Sequence, residues 1–308
     1  MQWPTQNPGE PSPTWINPGF QIGPEVVPFL SYGNHDSGWN SDLTRLHEQE
    51  SSDRHPIDLA SRALAAEALM RNCLQIHPGN GQENSPRNLN ARRPWVLEIG
   101  SSSGHFLKFM EQTHPEFQMV GSDFEKSIVT TLSTRFLSHP IVQMDLQRCP
   151  FPDACFDAAV ALNVLEHISD DTTAIRQIYR ILKPGGIAHI EVPAGPHLYD
   201  FYDGYLKHFR RYRAGELAQS FTGAGFEILR STHLGFFVYP AFWWVKRLNR
   251  RKTQLSREEI ALSVSQEIRS TRTNPILALL FQAEIFAGTM LSFPVGIRAV
   301  FTLRKPVR

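Results

Sequence analysis

Five short apolar segments in the middle of the chain alternate with helical segments, and this alternation restricts the possible folds more than any other feature. Strands that alternate with helices are typical of a mostly parallel sheet with helices on both faces. The sequence therefore predicts an α/β protein with a doubly wound sheet. The five predicted strands are 95–99, 117–123, 141–145, 156–163 and 187–193.

Two more strands complete the predicted sheet and define the organisation of the chain. A helix and a glycine precede the sixth strand in "GELAQSFTGAGFEILRSTHL", and "GIRAVFTLRK" (296–305) contains the seventh. The segment between these strands, at about 233–295, is predicted to be a helical insertion. We divide the chain into a Pro-rich extension (1–40), N-terminal helices with a polar linker (41–94) and a sheet domain (95–308).

The overall charge and the cysteine content argue against several classes of protein. A net charge of +1 over 308 residues predicts no general affinity for nucleic acid. Three cysteines without a CxxC pair predict neither a disulfide framework nor a zinc site, so no metal is expected. No apolar run reaches the ~18–20 residues of a membrane span. Because the first residues also lack the pattern of a signal peptide, we expect a cytoplasmic protein.

The turn after the first predicted strand has the composition of a ligand site. In "VLEIGSSSGHFL" (96–107) the strand ends in Glu98, and two glycines enclose three serines before a helix begins. Small residues allow a ligand to approach the backbone, and the N-terminus of the helix offers free N–H groups. Ligands of open α/β sheets bind at the carboxyl ends of the strands. A tight turn without a ligand remains the alternative.

Two aspartates follow the next two strands and strengthen the prediction of a nucleotide-like cofactor. Asp123 ends the second strand, and a carboxylate there can accept hydrogen bonds from both hydroxyls of a ribose. Asp145 ends the third strand and can accept one from an adenine amino group. Each aspartate has a structural alternative, a helix N-cap for Asp123 and a turn residue for Asp145. Three acidic strand ends around one Gly-rich turn favour the cofactor site.

Taken together, five motifs resemble those of the class I S-adenosylmethionine-dependent methyltransferases. They are most similar to the small-molecule branch that includes enzymes of ubiquinone and menaquinone biosynthesis, and the resemblance covers 95–232. It implies a Rossmann-like, seven-stranded sheet in which strand seven is antiparallel and lies beside strand six. The motifs, in order, are "VLEIGSSSG", "VGSDFE", "MDLQRCPFPDACFDAAVALNVLEHI", "ILKPGGIAHIEVP" and "LAQSFTGAGFEI".

The resemblance also implies S-adenosylmethionine as the cofactor and assigns residues to its parts. The turn would line the methionine part, Asp123 the ribose, and Phe124 the adenine ring. Ser102 departs from the family, which usually has a third glycine there. This departure leaves open a non-catalytic relative that keeps the fold for binding or scaffolding. The implied cofactor-binding residues are Glu98, Gly100, Ser101, Ser102, Gly104, Asp123, Phe124, Asp145, Leu146 and Asn163.

The candidate catalytic residues follow strands four and five, where the methyl acceptor would bind. They are His208, His167 and Asn163, and His208 is our first choice for an acid–base role. A packing role is the alternative for His167. The segment "HFRRY" contains Arg210 and Arg211, which would either recognise an anionic group of the substrate or hold the loop through carboxylates. The expected acceptor is a small or lipid-linked molecule methylated on O, N or C.

The insertion has a composition that fits either a lid or a membrane contact. Aromatic residues stand directly before a basic cluster in "GFFVYPAFWWVKRLNRRK", and this combination suits a bilayer interface. We favour a helical lid whose aromatic residues face the core, and a peripheral membrane contact through 236–252 is the alternative. An RNA acceptor is disfavoured. An NAD-dependent oxidoreductase is also disfavoured, because the turn is GxxxG and not GxGxxG. The oligomeric state cannot be read from the sequence.

Overall fold

The computed structural model describes residues 1–33, 55–74, 93–249, 259–260, 262, 274–288 and 290–307. A sheet of eight strands lies at the centre of the fold. Parts of the predicted N-terminal helices and linker, and the end of the basic cluster after Asn249, lie outside the described residues. In spatial order the strands are β10 (Glu227–Leu234), β11 (Arg298–Arg304), β9 (Leu182–Pro193), β8 (Phe156–Leu162), β5 (Trp95–Ile99), β6 (Gln118–Asp123), β7 (Ile141–Gln143) and β4 (Leu30–Ser31).

The directions of the strands confirm the predicted fold class. The six strands from β9 to β4 in this order run parallel to one another. The last strand of the chain, β11, is antiparallel and lies between β9 and β10, as predicted for strand seven. The sheet has one strand more than predicted, because β4 of the N-terminal segment pairs with the edge strand β7.

The N-terminal segment packs against the domain. It forms a small antiparallel sheet of β1 (Thr14–Trp15), β2 (Phe20–Ile22) and β3 (Glu25–Val27) before it reaches β4. Trp3 is buried, and its ring lies 4.9 Å from Phe20 and 6.0 Å from Phe151 between centroids. Aromatic contacts of this kind contribute about 0.5–1.5 kcal/mol each beyond the area they bury, so they hold the segment on the sheet.

Helices cover both faces of the sheet, as the alternation of strands and helices predicted. The helices are α1 (Pro56–Cys73), α2 (His105–Thr113), α3 (Lys126–Arg135), α4 (Asp171–Ile181), α5 (Phe201–Tyr205), α6 (Ala214–Gly223), α7 (Tyr239–Asn249) and α8 (Pro275–Gly288). Apolar side chains of α1, α2 and α3 form one core with the sheet, and those of α4 and α6 form the other. Neighbouring residues of β5 alternate between the two: Val96 belongs to the first core and Leu97 to the second.

The insertion before β11 contributes α7 and α8. Phe281 of α8 packs in a third cluster with Leu64 of α1 and Val300 of β11. The buried carboxylate of Glu284 accepts a hydrogen bond from the backbone N–H of Gly235 (2.6 Å), which ties α8 to the chain that enters α7. Within the described part of the chain, every helix is too short or too polar to cross a bilayer.

Candidate active site

The Gly-rich turn after β5 uses left-handed backbone conformations at three positions. The φ angles are +69° at Gly100, +44° at Ser102 and +72° at Gly104. A Cβ atom at Gly104 would overlap the side chains of Leu132 in α3 and of Phe136 directly after it. Only glycine therefore fits at this position, where the turn packs against α3. Ser102 adopts a left-handed conformation that favours glycine, at a modest steric cost.

Hydrogen bonds from the turn bring the first two predicted strand ends together. The backbone N–H of Ser102 donates to Oδ2 of Asp123 (3.0 Å), and the N–H of Glu125 donates to Oδ1 (3.0 Å). Ser101 donates from its backbone N–H to the carbonyl of Ser122 (2.8 Å). Each carboxylate oxygen has a second lone pair, so the oriented Asp123 retains the capacity to accept ribose hydroxyls. Phe124 follows it and is half-buried.

The third predicted strand end lies next to Asp123. The backbone N–H of Met144 donates to the carbonyl of Asp123 (3.0 Å). This bond places Asp145 and the buried Leu146 beside the end of the second predicted strand. Oδ1 of Asp145 accepts from the N–H of Gln147 (2.9 Å) and caps a 3₁₀ turn. The turn role that the sequence allowed for Asp145 is therefore real. It occupies one oxygen of the carboxylate and is compatible with a cofactor contact through the other.

Glu98 tests whether these residues fit the predicted cofactor. Its side chain is buried, and within the described structure its Oε2 has no hydrogen-bond partner. Burial raises the pKa of Glu98 to about 8, against the opposing effect of Ser101, and the charge of Asp123 raises it further. A buried carboxyl oxygen without a donor is unfavourable unless a ligand supplies one. The ammonium group of a bound S-adenosylmethionine is such a donor, so the residues fit.

The side chains described above mark this end of the strands as a ligand site. Two small cavities formed by the described residues lie elsewhere, one beside β10 and α8 and one beside His197 and Trp243. Arg62 of α1 is a further member of the site that sequence reasoning missed. It is buried, and its charge acts on Glu98. A charged residue within the apolar stretch of a predicted helix was the available signal.

Asn163, the predicted residue near the methyl-transfer position, is held firmly at the end of β8. It has a positive φ of +55°, and its backbone N–H donates to the carbonyl of Glu191 (2.9 Å). Its side-chain Nδ2 donates to Oε1 of Glu191 (3.3 Å). The same oxygen accepts from Ser61 (2.7 Å) and Arg298 (2.7 Å). Sequence reasoning missed Glu191, because its position inside an apolar strand gave no indication of these partners.

His208 and His167, the other two predicted catalytic residues, lie together. Their ring centroids are 4.7 Å apart, with the rings nearly perpendicular. Nδ1 of His208 lies 3.0 Å from Oδ1 of Asp203, which is fully buried. A carboxylate in this position orients the imidazole and fixes the tautomer that carries the proton on Nδ1. The arrangement leaves Nε2 of His208 as the nitrogen available for an acceptor.

Asp203 is the centre of a buried ionic cluster on the loop after β9. It accepts hydrogen bonds from Nε of Arg211 (2.8 Å) and from Nζ of Lys246 (3.3 Å), and Lys246 also donates to Asp200 (2.7 Å). Burial by itself would raise the pKa of Asp203, but the hydrogen bond from His208 and the charges of Arg211 and Lys246 hold it well below its usual range.

Both arginines of "HFRRY" pair with carboxylates of the protein. Arg211 contacts Asp203, and Nη1 of Arg210 lies 2.7 Å from Oδ2 of Asp171. These contacts correspond to the loop-holding alternative of the sequence analysis. A further residue that sequence reasoning missed is Glu166, whose side chain is completely buried and whose pKa is raised to about 8 by burial. Its only signal was its place directly before His167.

Comparison with known proteins agrees with this geometry. A family model described as "Methyltransferase domain" matches residues 97–190. A ubiquinone/menaquinone biosynthesis C-methyltransferase of Desulfotalea psychrophila is 27% identical over 118 residues, which cover 37% of this chain and 48% of that protein. A demethylmenaquinone methyltransferase of Deinococcus radiodurans is 31% identical over 134 residues, covering 41% and 45%. The chain thus spans about half the length of these curated relatives.

A solved structure shows the same fold over most of the chain. Phosphoethanolamine N-methyltransferase 2 of Haemonchus contortus, in complex with S-adenosyl-L-methionine, superposes with a TM-score of 0.51 at 14% identity. The superposition covers 93% of this chain and 62% of that one. At this level of identity the likeness concerns the fold alone.

The fold and the family match define the class that the chain resembles. The chain contains a segment, 97–190, that matches a methyltransferase domain, and it shares the fold of a solved methyltransferase that was determined with S-adenosyl-L-methionine. Its sequence relatives include methyltransferases of the ubiquinone and menaquinone branch, which confirms the predicted resemblance. Neither alternative, a scaffold protein or an NAD-dependent oxidoreductase, is favoured by these matches.

Proposed function

We propose that this protein transfers a methyl group from S-adenosylmethionine to a small or lipid-linked acceptor in the cytoplasm. The observation that best supports this function is the contact between the Gly-rich turn and Asp123 beside a buried Glu98 whose Oε2 has no donor among the described residues. Three strand ends with acidic side chains meet there, and a cationic amino-acid cofactor would satisfy them.

Each predicted residue has a distinct task in this proposal. The cofactor supplies an electrophilic methyl group on a positively charged sulfur. Glu98 and the serines of the turn hold the methionine part, and Asp123 holds the ribose. Asp145 and Leu146 bind the edge of the adenine, and Phe124 packs on its face. The protein's contribution to methyl transfer is therefore mainly to position the reactants and to exclude water.

The acceptor side has the groups that a hydroxylated acceptor needs. In our proposal Asn163 lies near the methyl-transfer position, and Nε2 of His208 takes the proton of the acceptor. Asp203 keeps the ring in the correct tautomer and orientation. His167 packs against His208 and limits the orientations that the His208 ring can adopt.

Removal of the Asp123 carboxylate tests the cofactor site. Titration calorimetry should show one S-adenosylmethionine bound per wild-type chain. Asp123→Ala should weaken binding about 10- to 100-fold, because a hydrogen bond to a charged group contributes about 1.5–3 kcal/mol. Asp157→Ala is the matched control. Asp157 is also half-buried, and its side chain also accepts a hydrogen bond from a backbone N–H, that of Trp95 (2.8 Å). It lies near the amino-terminal ends of the strands, opposite to the candidate site.

Two results would count against this proposal. Absence of S-adenosylmethionine binding by the folded wild type would favour the scaffold alternative. Equal affinity of Asp123→Ala and the wild type would remove Asp123 from the site.

The insertion supports a lipid-linked acceptor. The exposure of α7 favours the membrane contact over the lid, because Trp244 is 58% exposed whereas Lys246 is 3% exposed. Trp243 and Leu248 of α7 are also exposed, and Arg247 stacks over the Trp243 ring. On α8 the exposed apolar residues are Ile276, Leu279 and Phe286. We propose that the exposed face of α7 makes the peripheral membrane contact predicted for 236–252, since exposed tryptophans beside basic residues suit an anionic bilayer interface.

Vesicle binding tests the membrane contact. The wild type should co-sediment with vesicles that contain anionic lipid, and Trp243→Ala with Trp244→Ala should weaken binding about tenfold or more, because large apolar area no longer enters the interface. Leu137→Ala is the control, as Leu137 is similarly exposed but lies after α3. Equal binding of the double variant and the wild type would contradict the assignment, as would a wild type that ignores such vesicles.

A further inference from the structure

The acceptor side contains a group of side chains with the composition of a metal site. Glu166 and His167 lie on a 3₁₀ turn after β8, and His208 follows α5. A carboxylate oxygen of Glu166 and one ring nitrogen of each histidine all lie within 4.8 Å of one another. The backbone N–H of Phe209 donates to the carbonyl of Glu166 (2.8 Å), so the two segments are fixed next to each other.

Glu166 is the member of this group that points to a ligand. Its side chain is completely buried, and in the described part of the chain neither of its oxygens accepts a hydrogen bond from another residue. The transfer of a carboxylate into a protein interior is costly unless it is paired, hydrogen-bonded or bound to a metal. Arg211 and Arg298 act on Glu166 through their charges but pair with other carboxylates, Asp203 and Glu191. A cation at the group would compensate Glu166 directly.

The donor set and its surroundings suit a transition metal. Two imidazoles and one carboxylate bind zinc and similar divalent ions, and three protein ligands leave a further coordination position open. Metal-binding histidines usually donate their other ring N–H to a carboxylate, and His208 has this partner in Asp203. With metal–ligand bonds of ~2.0–2.2 Å the donor atoms would stand roughly 3–3.5 Å apart. Side-chain rotations that shorten the longest separation by about 1.5 Å are therefore required.

We propose that Glu166, His167 and His208 bind a divalent transition-metal ion such as Zn²⁺, whose open position receives a hydroxyl oxygen of the acceptor. The acceptor role rests on the proposed methyltransferase function, whereas metal binding does not. The bound hydroxyl releases its proton to solvent, and its oxygen forms the new bond to the methyl carbon. The carbon–sulfur bond breaks and leaves its electron pair on sulfur. His208 then acts through the ion and not as a base itself.

Calorimetric titration of Zn²⁺ into the tag-free, EDTA-treated full chain, without cofactor or acceptor, tests the site. One ion should bind per chain with a micromolar or lower Kd. Glu166→Gln and His208→Gln should each weaken binding at least tenfold. His197→Gln is the matched control, because His197 is exposed on the same loop and, among the described residues, forms a side-chain hydrogen bond only with the Tyr239 hydroxyl (3.1 Å). This variant should bind Zn²⁺ as the wild type does.

The outcomes separate this inference from the proposed function. Absence of stoichiometric Zn²⁺ binding, or equal affinity of Glu166→Gln and the wild type, would overturn the metal site. Preference for Mg²⁺ over Zn²⁺ would overturn the transition-metal assignment. If circular dichroism shows that the glutamine variants do not fold, the visible absorption spectrum of the Co²⁺-loaded wild type tests the site instead. Binding of Co²⁺ by histidine must change the absorption bands of the ion, so an unchanged spectrum would overturn the metal site. S-adenosylmethionine binding by the EDTA-treated protein, measured in parallel, would leave the proposed function intact even if no metal binds.

Discussion

Asp203→Ala should lower the free energy of unfolding by about 3–5 kcal/mol, the usual cost of removing one partner from a buried ionic cluster. Asp203 is completely buried and is contacted by Arg211, Lys246 and His208. Without it, Lys246 would keep the carboxylate of Asp200, and Arg211 would keep the Ala194 carbonyl (3.3 Å) as its hydrogen-bond acceptor within the described structure. The expected destabilisation therefore comes mainly from uncompensated charge and only partly from lost packing.

The cluster also connects the acceptor loop to the insertion, which increases the expected effect. Lys246 belongs to α7, and its ammonium group lies over the rings of Tyr202 (5.1 Å) and Phe242 (5.4 Å). Because the pKa of Asp203 is lower in the folded protein than in the unfolded chain, its stabilising contribution is complete above about pH 4. This contribution is lost as the pH falls below that value toward the lowered pKa.

Chemical denaturation at neutral pH, followed by circular dichroism, measures this effect. Asp153→Ala is the matched control, since Asp153 pairs with Arg180 at 2.7 Å but is 77% exposed. That variant should lose less than about 1 kcal/mol. Asp203→Asn keeps the size of the side chain and should fall between the two. A loss below 1 kcal/mol for Asp203→Ala would show that the cluster does not stabilise the loop.

The parts of the structure that sequence reasoning predicted depend on short-range patterns. The segments that end in Glu98 and Asp123 are mostly apolar runs bounded by turn residues. Both could therefore be predicted as strands from the sequence, with their carboxyl ends at the same side of the sheet. The parallel arrangement then required their carboxyl ends to meet. The convergence of these strand ends and the alternative turn role of Asp145 were therefore predicted, whereas the cofactor contacts of the residues there stay a prediction.

The parts that were missed depend on contacts between distant segments. The insertion's Lys246 stands in a basic cluster that looks solvated in the sequence, but it is buried because Asp200 and Asp203 lie 46 and 43 residues away in the chain. Glu166 is brought to His208 only by the path of the loop after β9. The pairing of β4 with β7 likewise joins segments more than 100 residues apart. Composition and periodicity carry no information on such pairs.

His208→Gln should lower the rate of methyl transfer about 10²- to 10⁴-fold, with little change in the affinity for S-adenosylmethionine. This range is typical for the loss of a group that assists removal of the acceptor proton, whether the group takes the proton itself or binds an ion that acidifies the hydroxyl. His208 belongs to the acceptor side, on the loop after β9, whereas the residues assigned to the cofactor follow β5, β6 and β7. The expected result is therefore a fall in kcat and an unchanged cofactor Kd.

The rate is measured as formation of S-adenosylhomocysteine, with the acceptor that the wild type methylates fastest in a panel of hydroxylated small and lipid-linked compounds. His197→Gln again provides the control and should keep the wild-type rate. Asp203→Asn should reduce kcat less than His208→Gln does, because it disturbs the orientation of the ring and leaves the imidazole in place. Near-normal turnover by His208→Gln would show that the acceptor loses its proton to another group, and His167 would then be the next residue to replace, since its ring is in contact with His208.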